Sequence, residues 1–207
     1  MLKILGRVTS INVRKVLWAA DELGLVYDRE DWGMPIRDPK VPEFLALNPN
    51  GQVPVLIDDD FVLWESNAIL VYLCERERDF NLWPTDLEGR ARVLQWLFWQ
   101  VTELNPAWRY AVNALIRKTP GMDDPVKIER SIADWTAEME ILEARLAETD
   151  AYAAGADFTL ADIALGLSVH RWFGTAFEKK SLPAVTAYYR RLKARDGGLA
   201  YMGEATP

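Results

Sequence analysis

The chain contains almost no cysteine or histidine. Of its 207 residues, one is a cysteine, Cys74, and one is a histidine, His170. A disulfide within the chain, a CxxC redox pair and a cysteine-rich zinc site are therefore excluded, and so are metal sites built from several imidazoles. No metal site is expected, and any thiol chemistry would use a thiol brought in from outside.

Long apolar runs and clusters of basic charge are also missing. The longest apolar stretches, such as residues 69–74, fall far short of the roughly 20 residues that a membrane helix requires. The first residues do not lead into a signal-peptide core. Against 31 Asp and Glu there are 24 Lys and Arg, a formal charge of −7, and no basic stripe stands out. We therefore expect a cytoplasmic protein that binds neither nucleic acid nor membrane.

The first 80 residues alternate between strand-like and helical segments. Apolar residues between positions 13 and 23 recur at intervals of three and four, which predicts a helix, and the apolar residues of 69–73 predict another. Residues 2–5, 25–31, 53–57 and 61–63 read as short strands. With a short helical turn at 44–47, the predicted order is β-α-β-α-β-β-α, which indicates a mixed sheet with helices.

The strand signals end near residue 80. We predict a first domain at residues 1–80, a linker at 81–88 and an all-helical second domain at 89–207. Pro106 should kink or divide a long helix that starts near Gly89. In the stretch "FTLADIAL", Thr159 and Asp162 have the spacing of a capping box, so the predicted role of Asp162 is structural.

Three segments of the first domain carry polar groups suited to a binding site. In "TSINVRK", residues 9–15, hydroxyl and amide groups stand at a predicted helix start, where they either cap the helix or stabilise a bound anion. In "WES", residues 64–66, Ser66 can cap the next helix. Alternatively, Glu65 accepts from an ammonium group while Ser66 and its N–H hold a carboxylate. Together these two residues would bind an amino-acid head group.

The third segment is "GQVPVL", residues 51–56, where a proline interrupts an apolar strand. Proline is the residue that takes the cis peptide form at low cost, and a cis Val53–Pro54 bond would leave the backbone of Val53 free to pair with an extended peptide. A trans proline at the first residue of a strand is the alternative.

The order of these elements, the "NGQVPVL" and "ES" motifs, the helical second half and "FTLADIAL" together resemble the glutathione transferase family over essentially the whole chain. The resemblance implies an α/β thioredoxin-like N-terminal domain, an all-α helical-bundle C-terminal domain, and a cytosolic homodimer. It also implies glutathione as the co-substrate and no metal.

The resemblance assigns roles to individual residues. Val53 and Pro54 resemble the cis-proline element that pairs with the cysteinyl part of glutathione. Glu65 and Ser66 resemble the pair that binds the γ-glutamyl end, and Gln52 lies where a polar side chain often reaches the glycyl carboxylate. For catalysis the resemblance points to a serine-type or Nu-like bacterial class, with the following candidates for stabilising the thiolate: Ser10, Asn12 and, if the turn is shifted by one residue, Thr9.

The turn before the first helix lacks two residues that other classes of the family use for catalysis. The turn contains no tyrosine, unlike the tyrosine-type classes, and no cysteine, unlike the beta-type bacterial members. The resemblance places the electrophile's pocket between the domains, with Trp108 suited to an apolar or aromatic substrate and Arg109 to an acidic one. Packing in the core or at a dimer interface is the alternative role of Trp108. The expected function is conjugation of glutathione to small electrophiles. Glutathione-dependent disulfide or peroxide reduction and a non-catalytic interaction module are the alternatives.

Overall fold

The computed structural model describes residues 1–203 and divides into two compact units, one from Met1 to Trp83 and one beginning at Pro84. The elements of the first unit are β1 (Leu2–Leu5), α1 (Ile11–Glu22), β2 (Asp28–Glu30), α2 (Pro42–Leu45), β3 (Val55–Asp58), β4 (Phe61–Trp64) and α3 (Ser66–Glu77). This is the order predicted from the sequence, and it confirms the thioredoxin-like fold class. Only β2 is notably shorter than expected.

The four strands form one mixed sheet in the order β2-β1-β3-β4. β1 runs parallel to β2, and β3 runs antiparallel to both β1 and β4. The register pairs Leu5 with Val55, and Val55 with Trp64. The end of β1, the start of β3 and the end of β4 therefore lie side by side, so the turn before α1, the segment before β3 and the junction before α3 meet at one edge of the sheet.

A buried polar contact joins the two long helices of this unit. The Lys15 Nζ atom in α1 donates a hydrogen bond of 3.1 Å to the Asn67 Oδ1 atom in α3, and both residues are buried. Both lie near the start of their helices, so the contact fixes the two helix N-termini relative to each other. Burying a lysine without such a partner is costly, which makes this contact part of the fold.

The described part of the second unit consists of helices joined by loops, without strands. Its elements are α4 (Leu87–Trp99), a π-helical turn (Gln100–Leu104), α5 (Asn105–Leu115), α6 (Pro125–Thr149), α7 (Leu160–Gly174), α8 (Pro183–Lys193) and α9 (Asp196–Tyr201). Pro106 occupies the first turn of α5 directly after the π-helical turn, so the predicted division of the long helix is confirmed. In residues 1–203, no helix combines the length and the apolar character needed to cross a membrane.

The predicted capping box is present at the start of α7. Asp162 is fully buried, and its carboxylate accepts hydrogen bonds from the Thr159 N–H at 2.8 Å and the Ala153 N–H at 3.0 Å. The Tyr188 hydroxyl donates a further bond at 2.9 Å. Burial raises the pKa of Asp162, while these hydrogen bonds act in the opposite direction. Asp162 thus joins α7, α8 and the loop before α7.

Candidate functional site

An open cleft of about 140 Å³ lies at the sheet edge where the three segments meet. It contains six of the residues that the sequence singled out, together with three that it did not. The lining residues are Asn12, Asn48, Asn50, Gln52, Val53, Pro54, Trp64, Glu65 and Ser66. The lining is mostly polar, which suits a hydrophilic ligand.

The Val53–Pro54 peptide bond at the centre of the cleft is cis, as the sequence analysis expected. β3 begins only at Val55, so neither residue belongs to the strand ladder. Within residues 1–203, no hydrogen bond to the backbone of Val53 is found. The N–H and C=O of Val53 are therefore available to an extended peptide that docks in the cleft.

Glu65 rather than Ser66 is the N-cap of α3. One carboxylate oxygen of Glu65 accepts a hydrogen bond of 2.9 Å from the Ala68 N–H, and Ser66 is the first, buried residue of the helix. The predicted cap at Ser66 is therefore wrong. Glu65 has a φ of +77°, in the region that favours glycine, and such a conformation costs about 1–3 kcal/mol. This strain at the edge of a cleft points to a functional role for Glu65.

Ser10 occupies the N-cap position of α1, but its hydroxyl makes no cap hydrogen bond. The residue is half-buried and is not among the residues that line the cleft, whereas Asn12, two residues further along, is. Thr9 is exposed, and its hydroxyl accepts a hydrogen bond from Arg7. Arg14 is buried, which lowers its pKa to about 10. The Ser10 hydroxyl and the helix N-terminus thus remain available to a ligand.

The loop before the cis bond is built by Asn48. Its buried side chain donates a hydrogen bond of 2.7 Å to the carbonyl of Gln52 and accepts one of 3.0 Å from the Asn50 N–H. Gly51 has a φ of +58°, and a Cβ atom there would lie 2.9 Å from the carbonyl oxygen of Pro39, so this position requires glycine. The turn sequence "NPNG" is the signal that could have indicated this loop.

The positively charged side chain of Lys40 lies beside this loop. The Lys40 Nζ atom donates a hydrogen bond of 2.7 Å to the carbonyl of Asn50, and Lys40 is exposed. Because Asn50 and Gln52 both line the cleft, the charge of Lys40 lies close to one end of it. The structure therefore adds a cation to the end at which the resemblance places a carboxylate.

Trp108 and Arg109 lie on α5 in the helical unit. Trp108 is buried, its Nε1 atom donates to the Asn105 Oδ1 atom at 3.1 Å, and the guanidinium carbon of Arg171 lies 4.5 Å from its ring centroid. Its ring centroid is also 6.4 Å from that of Trp135. These contacts are those of a core residue. Arg109 is exposed. The pocket role of both residues stays a prediction.

The single cysteine and histidine lie outside the cleft. Cys74 is buried, and burial raises the pKa of its thiol to about 12, so it carries no thiolate at neutral pH. The two ring nitrogens of His170 lie 2.9 Å from the Tyr189 hydroxyl and 3.0 Å from the carbonyl of Gly203. In the described part of the chain, no group of three or more metal-ligating side chains is found.

Comparison with known proteins supports the resemblance seen in the sequence. Residues 9–76 match the family model of the glutathione S-transferase N-terminal domain. The chain is 34% identical to glutathione S-transferase GstB of Escherichia coli over 197 residues, covering 94% of each protein. The chain belongs to the glutathione S-transferase family.

This family member is also similar to two further bacterial proteins. A crystal structure of a theta class glutathione S-transferase from Xanthomonas axonopodis pv. citri, with glutathione bound, matches 97% of this chain with a TM-score of 0.90 and 34% identity, and 96% of that chain is covered. The disulfide-bond oxidoreductase YfcG of Escherichia coli is 32% identical over 161 residues, which cover 74% of this chain and 73% of YfcG. Transferases and an oxidoreductase are thus both among the relatives.

Proposed function

We propose that this protein binds glutathione and activates its sulfur for attack on a small electrophile. The observation that carries the proposal is the convergence of the following residues on one polar cleft: Asn12, Gln52, Val53, Pro54, Glu65 and Ser66. Each matches a functional position of the family motif, and three separate chain segments contribute them. The glutathione-bound relative supports the same ligand.

Glutathione binds in an extended conformation in this proposal. Its cysteinyl N–H and C=O pair with the backbone of Val53 beside the cis bond. The Glu65 carboxylate accepts from the γ-glutamyl ammonium, and the hydroxyl and N–H of Ser66 donate to the adjacent carboxylate, next to the positive end of α3. Gln52 donates to the glycyl carboxylate, with the charge of Lys40 close by.

The chemical task is to produce thiolate at neutral pH. A free cysteine thiol has a pKa of about 8.5, so hydrogen bonds to the charged form and the α1 N-terminus must lower it. Lowering it by about one to two units takes about 1.4–2.7 kcal/mol. Ser10 and Asn12 supply donors to the sulfur, and the serine acts as a donor because its own proton is too weakly acidic for it to act as a base.

Conjugation then proceeds by nucleophilic substitution or addition at the electrophile. The thiol proton is released to solvent, and the sulfur lone pair forms the new carbon–sulfur bond. In a substitution the leaving group departs with the electron pair of the broken bond. In an addition the π electron pair of the acceptor moves to its far atom, which takes up a proton from solvent. Trp108 is the proposed contact for an apolar or aromatic substrate, and Arg109 the proposed contact for an acidic one.

Calorimetry with glutathione and a chlorodinitrobenzene assay test the proposal together. We expect binding at or below millimolar concentration and measurable conjugate formation. Absence of glutathione binding at that concentration would refute the proposed function, whatever the acceptor. A Ser10→Ala/Asn12→Ala double variant that keeps full conjugation activity would show that these residues do not activate the sulfur.

A glutathione-dependent disulfide or peroxide reductase is the second candidate. It is favoured by the similarity to the disulfide-bond oxidoreductase and by the spacing of Ser10 and Asn12 in the sequence. Turnover of a small disulfide or a peroxide, measured beside chlorodinitrobenzene under the same conditions, separates the two reactions. A strong preference for the chlorinated acceptor would exclude the reductase.

We also propose that the protein is a homodimer in the cytoplasm, as the family resemblance implies. Sedimentation equilibrium should give about twice the 23.6 kDa chain mass. A concentration-independent monomer would contradict the dimer. Fractionation of cells that express the protein, followed by detection in the cytoplasmic fraction, tests the location.

A further inference from the structure

Arg7 is fixed in the turn between β1 and α1. Its N–H donates a hydrogen bond of 2.9 Å to the carbonyl of Trp32, and its carbonyl accepts one of 3.1 Å from the Ser10 N–H. The backbone of Arg7 is thus held on one side by the β2–α2 connection and on the other by the residue that begins α1. The base of its side chain has a defined position at the sheet edge that carries the cleft.

The side chain of Arg7 lies close to that of Val53, one of the residues that line the cleft. Gly33 has a φ of +106°, and a Cβ atom at this residue would lie 3.3 Å from the Arg7 Nε atom and 3.5 Å from the Val53 Cγ2 atom. The guanidinium group and the Val53 side chain therefore pack over the same glycine. Arg7 is not a lining residue of the cleft, so its side chain lies beside Val53 without forming part of the cleft wall.

The charge of Arg7 is not compensated within residues 1–203. Two neighbouring arginines are neutralised, since Arg29 pairs with Asp31 and Arg37 pairs with Glu30. Arg7 forms no ion pair with the described residues, and its Nε atom is buried without a hydrogen-bond acceptor. A bound anion near this guanidinium would supply the charge partner that the described residues do not.

We propose that Arg7 is the counter-charge of the glutathione thiolate. The inference rests on the proposed function, in which the cysteinyl residue of glutathione pairs with Val53, the residue beside which the Arg7 side chain lies. Thr9 extends the effect, because its hydroxyl oxygen accepts from the Arg7 Nη1 atom and its own O–H therefore remains free to donate toward the sulfur. Arg7 is thus a positioning and charge-compensating residue that lowers the pKa of the bound thiol.

Titration of bound glutathione by the ultraviolet absorbance of its thiolate tests this inference. Arg7→Gln should raise the thiol pKa by about one unit, so that the thiolate fraction and kcat/KM for chlorodinitrobenzene fall about tenfold below that pKa. Above the raised pKa the bound thiol is fully ionised in both the wild type and Arg7→Gln, so their kcat/KM values become equal. Arg7→Lys should retain most of the lowered pKa, because it keeps the charge. Arg37→Gln, which removes a neutralised arginine of the same unit, should leave the pKa unchanged.

The outcomes separate this inference from the proposed function. Failure of the wild-type protein to bind glutathione would refute both. Normal binding with an unaltered thiol pKa in Arg7→Gln would refute the inference alone. So would a loss confined to the KM of carboxylate-bearing acceptors, since Arg7 would then bind the second substrate. Thermal unfolding of each variant checks the fold. If Arg7→Gln does not fold, the thiol pKa is measured in Arg7→Lys and Thr9→Val instead. The inference expects Arg7→Lys to retain most of the lowered pKa and Thr9→Val to raise it, and an unaltered pKa in Thr9→Val would contradict the inference.

Discussion

The Glu65 carboxylate accepts a hydrogen bond of 2.9 Å from the Ala68 N–H while it also lines the polar cleft. One side chain therefore caps α3 and faces the ligand. The two tasks use different oxygens, because the Glu65 Oε1 atom makes no hydrogen bond within the described residues. The proposed ammonium contact and the helix cap can consequently be separated by substitution.

Glu65→Gln keeps an oxygen for the cap and removes the charge. We expect glutathione affinity measured by calorimetry to fall about tenfold, the effect of losing roughly 1.4 kcal/mol, with little change in the free energy of unfolding. Glu65→Ala removes both functions and should cost about 1 kcal/mol more stability in urea unfolding. Equal glutathione affinity in the wild type and Glu65→Gln would contradict the ammonium contact.

Ser10→Ala and Asn12→Ala distinguish the two candidate donors to the sulfur. Because the Ser10 hydroxyl makes no cap hydrogen bond, its removal should change the free energy of unfolding by less than about 0.5 kcal/mol, below the usual cost of losing a cap. Each substitution should raise the thiol pKa by roughly half to one unit, most visibly in kcat/KM at low pH. If Asn12→Ala alters only the affinity for glutathione, Asn12 binds the peptide and not the sulfur.

Cys74 should be inert in the folded protein. Its buried thiol has a pKa of about 12, so alkylation by iodoacetamide at neutral pH should be very slow until denaturant is added. Cys74→Ser should retain the turnover of the wild type, since no proposed step uses this thiol. Rapid labelling of the native protein, followed by mass spectrometry, would show that the site opens readily.

Asp162 should be essential for the stability of the helical unit. Asp162→Ala leaves the buried donors of Ala153, Thr159 and Tyr188 without their acceptor, and we expect a loss of roughly 3–5 kcal/mol in chemical unfolding. Tyr188→Phe, the milder control, removes one donor and should cost about 1 kcal/mol. A similar small loss for both variants would mean that water replaces the carboxylate.

Local patterns were sufficient to predict the order of elements and the cis Val53–Pro54 bond. The cap of α3 was assigned to the wrong residue because serine is the more common cap, whereas the positive φ of Glu65 depends on how β4 meets α3. The structural role of Asn48 could have been predicted from the turn sequence "NPNG". The position of Arg7 could not, because its side chain packs near Gly33 and Val53, which belong to other segments.

The strand register also has a practical consequence. The cleft lies where Leu5, Val55 and Trp64 are paired, and the two-residue turn Asp59–Asp60 joins β3 to β4 at the opposite edge of the sheet. Met1 pairs with Asp59 at that edge. Attachment points for immobilisation or affinity tags can therefore be introduced there, at the N-terminus or within the hairpin, on the side of the sheet remote from the glutathione cleft.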